Sequence, residues 1–103
     1  MAEISLDKAF HALSDPLRIK IIESLRYAEY CVQDLCTHLH VSQSKLSFHL
    51  RVLKEAAIVR SRPNGRWTYY SLNLPQIATL EQHLADLRRH TPSLPTPPRS
   101  SES

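Results

Sequence analysis

The chain has 103 residues, enough for one small domain, and its 13 Lys and Arg against 10 Asp and Glu give a net charge of +3. No apolar run approaches the ~20 residues of a membrane-spanning helix, so no membrane partner is expected. The basic balance is compatible with a nucleic-acid partner. Two cysteines without a secretory signal predict a reducing, cytoplasmic location, where thiols bind metals or sense redox state.

The first two helices are predicted from the spacing of apolar residues and from a capping signal. The first spans roughly 4–13, and its apolar stripe is formed by Leu6, Phe10 and Leu13. Ser14 or Asp15 then caps a second helix with Pro16 at its first position, where a missing N–H costs no hydrogen bond. The buried stripe of this second helix is formed by Leu17, Ile21, Ile22 and Leu25.

A third and a fourth helix are predicted in close succession. The third starts near Cys31, and Ser42 is a suitable N-cap for the fourth. The apolar stripe of the fourth is formed by Leu46, Leu50 and Leu53. At 100° per residue these leucines lie within about 60° of one another, so the opposite side faces outward. Gln43 and His49 are expected nearer the core edge, where His49 would pin the helix to its neighbours.

One two-stranded hairpin is predicted at 58–72. Segments rich in β-branched or aromatic residues, 58–62 and 66–72, flank the dipeptide Asn64-Gly65. Asn-Gly favours a type I′ turn, which needs a positive φ at both central residues. Arg62 and Arg66 stand beside this tip, where they would reach a minor groove or a phosphate.

The end of the chain divides into a helix and a tail. Leu74-Pro75 opens a fifth helix, with an apolar stripe formed by Ile77, Leu80, Leu84 and Leu87. Residues 91–103 are rich in Pro and Ser and are predicted to be disordered, because such a segment cannot build a core. The predicted fold is mainly α with a β-hairpin wing, a winged helix-turn-helix in the order α–α–α–α–β–β–α. Residues 1–90 form its DNA-binding and dimerisation domain.

The fourth helix and the hairpin together predict a DNA-binding surface. Ser, Gln and Lys near a helix N-terminus suit base edges and phosphates, and a Phe can touch a thymine methyl group. The candidate contact residues are Gln43, Ser44, Lys45, Ser47, Phe48, Arg51, Arg62 and Arg66. For the helix alone an ordinary solvated face is the simpler interpretation, but the hairpin with its arginines favours DNA. An enzyme is not expected, because no phosphate-binding glycine loop or carboxylate-oriented base is present.

Three segments resemble the ArsR/SmtB family of bacterial metal-sensing repressors. They are residues 12–18, 42–59 and 64–72, and the resemblance extends over about residues 4–88. It implies a homodimeric winged-helix repressor that leaves its operator on double-stranded DNA when an inducer binds. It also implies a dimer interface formed by the first and last helices. The apolar stripes on those two predicted helices suit this role independently. The simpler interpretation, that they belong to the core of a single chain, stays open, above all for the first helix.

The segment 31–36 suggests the inducer. It resembles the family's arsenic-sensing motif on the third helix, which has cysteines at three positions: Cys31 and Cys36 match the first and third, and Gln33 replaces the middle one. As(III) and Sb(III) are soft and prefer thiolates, so they are the predicted ligands of Cys31 and Cys36, and no cofactor is predicted. Residues five apart on a regular helix lie about 140° apart, so joint binding would distort the helix and move its neighbour.

Other roles stay open for the same residues. A thiol redox or persulfide switch would use both cysteines, whereas a zinc or cadmium site would combine Cys36 with His38 or His40. A structural role in the core is the simpler interpretation for Cys36, since a free cysteine behaves as a small hydrophobe. The family's zinc site on the last helix is disfavoured, because Leu87 stands where a histidine is wanted.

Overall fold

The predicted winged helix-turn-helix is confirmed by the computed structural model, which describes residues 5–93 and 95–96. Within these residues, five helices and three strands follow one another in the order α1 (Leu6–Ala12), α2 (Pro16–Ser24), β1 (Tyr30–Cys31), α3 (Val32–Leu39), α4 (Gln43–Glu55), β2 (Val59–Asn64), β3 (Trp67–Leu72) and α5 (Leu74–Arg89). Helices α3 and α4 form the helix-turn-helix, and β2 and β3 form the wing.

The predicted tail stays a prediction. Of residues 91–103, positions 94 and 97–103 lie outside the described residues, and the remaining positions belong to no helix or strand. Over the described part of the chain, no helix is both long and apolar enough to cross a bilayer.

Two side-chain caps fix where helices begin. The Oδ1 atom of Asp15 accepts hydrogen bonds from the backbone N–H groups of Leu17 at 2.8 Å and Arg18 at 3.2 Å, which confirms Asp15 as the cap of α2. The hydroxyl oxygen of Ser42 accepts from the backbone N–H of Lys45 at 3.3 Å at the start of α4. Both starts were readable from the sequence because each cap depends on residues at most three positions away.

One apolar core joins all five helices to the sheet. Leu46, Leu50 and Leu53 of α4 are each at most 1% exposed, so the predicted inward stripe of that helix is confirmed. Further buried residues come from α1, α2, α3, α5 and the segment that leads into β2: Ala9, Ala12, Ile21, Leu25, Leu35, Ala56, Ile58, Val59 and Leu80. Because α4 sits at the centre of this core, its outward surface has a fixed position relative to the wing.

The sheet has a third strand, which corrects the prediction of an isolated two-stranded hairpin. The strand order is β1-β3-β2, and β1 pairs antiparallel with β3 through Tyr30 opposite Tyr70 and Cys31 opposite Tyr69. A two-residue strand is too short to show the alternation of apolar and polar residues that marks a strand in a sequence. The third strand places the segment before α3 directly against the wing.

The hairpin turn lies one residue later than predicted. Asn64 pairs with Trp67, so the central residues are Gly65 and Arg66, and a positive φ occurs at Gly65 but not at Arg66. This matches a type II′ turn, which has glycine first, instead of the expected type I′ turn. The residues that flank a two-residue turn exchange hydrogen bonds, and Pro63 has no N–H for that position.

Helix α5 is attached to the connection between α4 and the wing. The side chain of Asn73 donates from Nδ2 to the carbonyl of Ala57 at 2.8 Å, and that of Gln76 donates from Nε2 to the carbonyl of Ala56 at 3.1 Å. The backbone N–H of Asn73 also donates to Ile58 O at 2.9 Å. These bonds fix the direction in which α5 leaves the domain.

Candidate nucleic-acid interface and thiol pair

The outward side of α4 is a polar surface with one aromatic ring at its centre. All six of its candidate residues are exposed: Gln43, Ser44, Lys45, Ser47, Phe48 and Arg51. Phe48 is 50% exposed, and the Arg51 guanidinium carbon lies 5.7 Å from the centroid of its ring. Gln43 is therefore further from the core than expected. An exposed phenylalanine beside a cation can contact both the apolar and the phosphate parts of a duplex groove.

A buried hydrogen-bond network holds α4 against α1 and α2. Arg18 is 7% exposed, its Nε donates to the carbonyl of Ala12 at 2.8 Å, and its Nη1 lies 3.0 Å from Nδ1 of His49. Arginine has no acceptor, so Nδ1 of His49 accepts and the ring proton resides on Nε2. His49 thus pins the helix to its neighbours, as the sequence suggested.

Asp15 contributes to the same junction. Its Oδ1 atom caps α2 and lies 4.0 Å from Nδ1 of His49. Partial burial raises the pKa of Asp15, but hydrogen bonds from the backbone N–H groups of Arg18 and Leu17 and the positive charge of Arg18 outweigh this effect, so the pKa is below its ordinary value. The carboxylate therefore stays ionised near neutral pH and stabilises the N-terminus of α2.

The two candidate arginines of the wing are both exposed but differ in their contacts. Nη2 of Arg62 donates to Oε1 of Glu29 at 2.6 Å, and its guanidinium carbon lies 5.5 Å from the centroid of the Tyr69 ring. This hydrogen bond lowers the pKa of Glu29 and raises that of Arg62. Arg66 is a central residue of the turn, next to Trp67, which is 41% exposed.

Cys31 lies at the boundary between the sheet and α3. It belongs to β1, is the N-cap of α3 with an extended backbone, and is 6% exposed. Helix α3 thus begins next to Cys31, as predicted, but Cys31 itself has an extended backbone, so the angle of about 140° between two residues of one regular helix does not apply to the pair. A cavity of about 230 Å³ opens beside Cys31, with walls from the starts of α3 and α4 and from the wing: Cys31, Val32, Gln33, Gln43, Arg66, Trp67 and Thr68.

Cys36 lies in α3 and is connected to the turn of the helix-turn-helix. Its side chain is half-buried against the core, and its carbonyl accepts from the backbone N–H of Val41 at 3.2 Å. The same carbonyl oxygen of Cys36 also accepts a hydrogen bond from the backbone N–H of His40, which has a left-handed backbone with φ 57°. Val41 immediately precedes Ser42, the cap of α4, so Cys36 is hydrogen-bonded to the turn that leads into α4. Both thiols are free.

The described residues do not present a ready metal site. Among residues 5–93 and 95–96, no three His, Cys, Asp or Glu side chains are grouped so that they could hold an ion. The ring of His38 stacks on Tyr30 with centroids 5.5 Å apart, and His40 is an exposed residue at the end of α3. The structure therefore adds no third ligand of these types to the thiol pair.

Two residues of this region were missed by the sequence analysis. Glu29 lies in the connection between α2 and β1, and Tyr69 lies in β3, and neither belongs to a local motif. They come together with Arg62 through the pairing of three strands, which no short sequence window reveals. The aromatic run in β3 was the one available signal, and it predicted a strand without predicting its contacts.

Comparison with known proteins identifies the protein family. Residues 15–61 match the family described as "Bacterial regulatory protein, arsR family". The chain is 38% identical over 89 residues to the "Transcriptional repressor SmtB homolog" of Synechocystis sp., covering 81% of this chain and 67% of that protein. It is 34% identical over 84 residues to the "Arsenical resistance operon repressor" of Staphylococcus xylosus, covering 82% and 81%. A solved structure titled "Possible transcriptional regulator for arsenical resistance" has a TM-score of 0.70 at 34% identity, covering 81% of this chain and 85% of that one.

The fold and these relatives define a DNA-binding transcriptional repressor with a winged helix-turn-helix, and not an enzyme. The chain belongs to the arsR family of bacterial regulatory proteins.

Proposed function

We propose that the protein is a homodimeric cytoplasmic repressor that leaves its DNA operator when As(III) or Sb(III) binds Cys31 and Cys36. The observation that carries this proposal is that each cysteine is joined to a different element of the proposed DNA-binding surface, Cys31 by strand pairing and Cys36 by backbone hydrogen bonds. Cys31 pairs with the wing strand β3, and Cys36 accepts from the turn that precedes α4. A ligand that draws the two residues together would therefore move both elements.

The chemistry of the pair suits a trivalent metalloid. Arsenous acid, As(OH)3, exchanges two of its hydroxyl groups for the two thiols: two As–S bonds replace two As–O bonds, and each thiol proton leaves with a hydroxyl group as water. The third hydroxyl group stays on arsenic, where a small thiol can replace it. Thiolates are preferred over imidazole and carboxylate by such soft centres. The cavity beside Cys31 provides room for that third group. The arsenical-resistance relatives support the same class of inducer.

The proposed DNA contacts divide between the two reading elements. Polar residues at the start of α4 and Phe48 would read base edges in the major groove, with Lys45 and Arg51 beside them. Arg62 and Arg66 of the wing would contact phosphates and would fix the orientation of the protein on the duplex. In this arrangement the cavity beside Cys31 lies between the two contact regions, because Gln43 and Arg66 both line it.

The proposed dimer uses α1 and α5. Leu84 and Leu87 on α5 are 54% and 56% exposed, which leaves a continuous apolar strip on the free surface of that helix. On α1, Phe10 lies beside His83 of α5, with ring centroids 6.1 Å apart. A second subunit related by a two-fold axis beside α5 would cover this strip. The two copies of α4, the proposed recognition helices, would then lie on one side of the dimer.

Fluorescence anisotropy of a labelled operator tests the sensing role under reducing conditions. Arsenite should release the wild-type protein, and an excess of a small dithiol, which competes for As(III), should restore binding. Cys31→Ser and Cys36→Ser should each keep operator affinity within about twofold but lose the release, since one thiolate cannot move both elements. Gln33→Cys should tighten arsenite binding, because residue 33 lines the same cavity as Cys31.

The rival sensing functions give different results in this assay. Release by arsenite in the double serine variant would exclude the pair as the sensor. Release by peroxide or persulfide but not by arsenite would indicate a thiol redox switch. Release by zinc or cadmium that is lost when His38 or His40 is replaced would indicate a mixed metal site with Cys36.

A further inference from the structure

The wing arginine Arg62 already holds an anionic group in the absence of DNA. Its Nη2 atom donates to Oε1 of Glu29 at 2.6 Å, and Tyr69 lies under its face with 5.5 Å from guanidinium carbon to ring centroid. A guanidinium presents N–H groups in a planar fork that binds carboxylate and phosphate in the same way. A DNA phosphate that approaches Arg62 therefore meets a site in which a carboxylate is bound.

We propose that Glu29 sets the affinity of the wing for DNA by competing with the phosphate backbone for Arg62. This inference rests on the proposed phosphate contact of Arg62. When DNA binds, the Glu29 carboxylate must leave the guanidinium, because a carboxylate and a phosphate in contact would repel each other. Removing the charge of Glu29 removes this step and strengthens binding to every sequence.

The sheet register keeps Glu29 within reach of Arg62. Cys31 pairs with Tyr69, and Tyr69 pairs with Arg62, so these three residues form one row across β1, β3 and β2. Residues that are directly opposite each other in an antiparallel sheet have their side chains on the same face. Glu29 lies two residues before Cys31, in the connection that leads directly into β1, so the pairing of β1 with β3 keeps the competing carboxylate near the wing.

The ion pair is weak enough to adjust DNA binding without blocking it. The side chains of Arg62 and Glu29 are 53% and 41% exposed. Breaking an exposed ion pair of this kind changes an equilibrium constant, here that of DNA binding, by at most about fivefold. We therefore expect an effect of about two- to fivefold for each subunit that contacts DNA, which binding assays resolve easily.

Glu29→Gln tests the competition directly in the full-length protein. Affinity is measured for a duplex selected from a random library and for an unselected duplex, each at several salt concentrations. Glu29→Gln should tighten both by a similar factor and leave the slope of affinity against salt unchanged. The control Glu23→Gln makes the same change of charge at an exposed residue of α2 and should have a smaller effect. Arg62→Ala should weaken binding. When it is combined with Arg62→Ala, Glu29→Gln should increase DNA affinity no more than Glu23→Gln does.

The outcomes separate the inference from the function on which it rests. If Arg62→Ala changes neither affinity nor salt slope, the wing contact is wrong and the competition fails with it. If Arg62→Ala weakens binding but Glu29→Gln changes DNA affinity no more than Glu23→Gln does, the wing contact stands and only the proposed competition is wrong. If Glu29→Gln weakens binding, Glu29 orients Arg62 towards the phosphate, which also overturns the proposal.

Discussion

Two non-glycine residues with a left-handed backbone end the two helices of the helix-turn-helix. His40 follows α3 with φ 57°, and Ala57 follows α4 with φ 61°. After α4, the N–H of Ile58 donates to Leu53 O and that of Ala57 donates to Lys54 O, both at 2.9 Å. This is the Schellman arrangement, in which glycine is the usual residue because it has no Cβ to clash with the backbone.

Ala57→Gly should stabilise the protein. The left-handed conformation costs a non-glycine residue about 1–2 kcal/mol, which the substitution removes. The greater conformational entropy of glycine in the unfolded chain offsets part of this stabilisation. We expect a net gain of about 0.5–1 kcal/mol in the free energy of unfolding, or roughly 2–8 °C in Tm for a domain of this size. Thermal unfolding followed by circular dichroism measures it.

The neighbouring alanine is the matched control. Ala56 is fully buried and has a φ of −86°, so Ala56→Gly relieves no strain and removes a buried methyl group. It should lower the free energy of unfolding by roughly 1.3–1.8 kcal/mol, from the lost burial of one methyl group and the entropy of the unfolded glycine. A loss of stability in Ala57→Gly as well would mean that the left-handed residue is not strained.

At the scale of single residues, local rules predicted the caps and left out the tertiary contacts. Asp15 and Ser42 were found because a cap acts within three residues of itself. The contact between Glu29 and Arg62 joins residues 33 positions apart and depends on the exact strand register. The position of His49 was only suggested, because its partner Arg18 lies on a different helix.

At the scale of elements, helices were easier to predict than strands. All five helices show apolar residues at helical spacing over two turns or more, and their presence was predicted correctly. Strand β1 has two residues and exists because β3 offers it a partner, so the sequence gives no pattern for it. The turn moved by one residue because Pro63 cannot supply a hydrogen bond beside the turn, a constraint that outweighs the Asn-Gly signal.

A further prediction at this scale is that α4 contacts bases whereas the wing contacts phosphates. If the proposed contact of the Phe48 ring with base edges is correct, Phe48→Ala should change base preference and leave the salt dependence of binding unchanged. Arg66→Ala should weaken binding to all sequences and reduce the magnitude of the salt slope by about one for each lost phosphate contact. Binding to selected and unselected duplexes at several salt concentrations measures both effects.

Arg26→Ala is the control for the loss of one positive charge. Arg26 lies beyond the end of α2, where its guanidinium carbon is 5.1 Å from the centroid of the Tyr27 ring, and it belongs to neither α4 nor the wing. It should change affinity and salt slope less than Arg66→Ala does. A change of base preference in Arg66→Ala with an unchanged salt slope would contradict the assignment of the wing to phosphates.

At the scale of the whole molecule, the free surface of α5 decides whether one domain or two meet the DNA. Leu80 is buried in the core of the domain, whereas Leu84 and Leu87, one and two turns further along, are more than half exposed. The hydrogen bonds from Asn73 and Gln76 to the end of α4 fix the direction of α5 relative to the recognition helix. A dimer through α5 would therefore set the distance between the two recognition helices and the spacing of the operator half-sites.

Leu84→Glu should convert a dimer to monomers that bind the operator poorly. A carboxylate on the apolar strip would have to be desolvated in the interface without a partner, which costs more than the interface gains. Sedimentation measures the mass, and anisotropy measures operator affinity, which we expect to fall by at least tenfold as the second half-site is lost. Tyr27→Glu makes a similar change at an apolar residue that is 77% exposed after α2, and it should leave the mass unchanged. A wild-type protein that sediments as a monomer at micromolar concentration, or a dimeric Leu84→Glu variant, would show that α5 is not the interface.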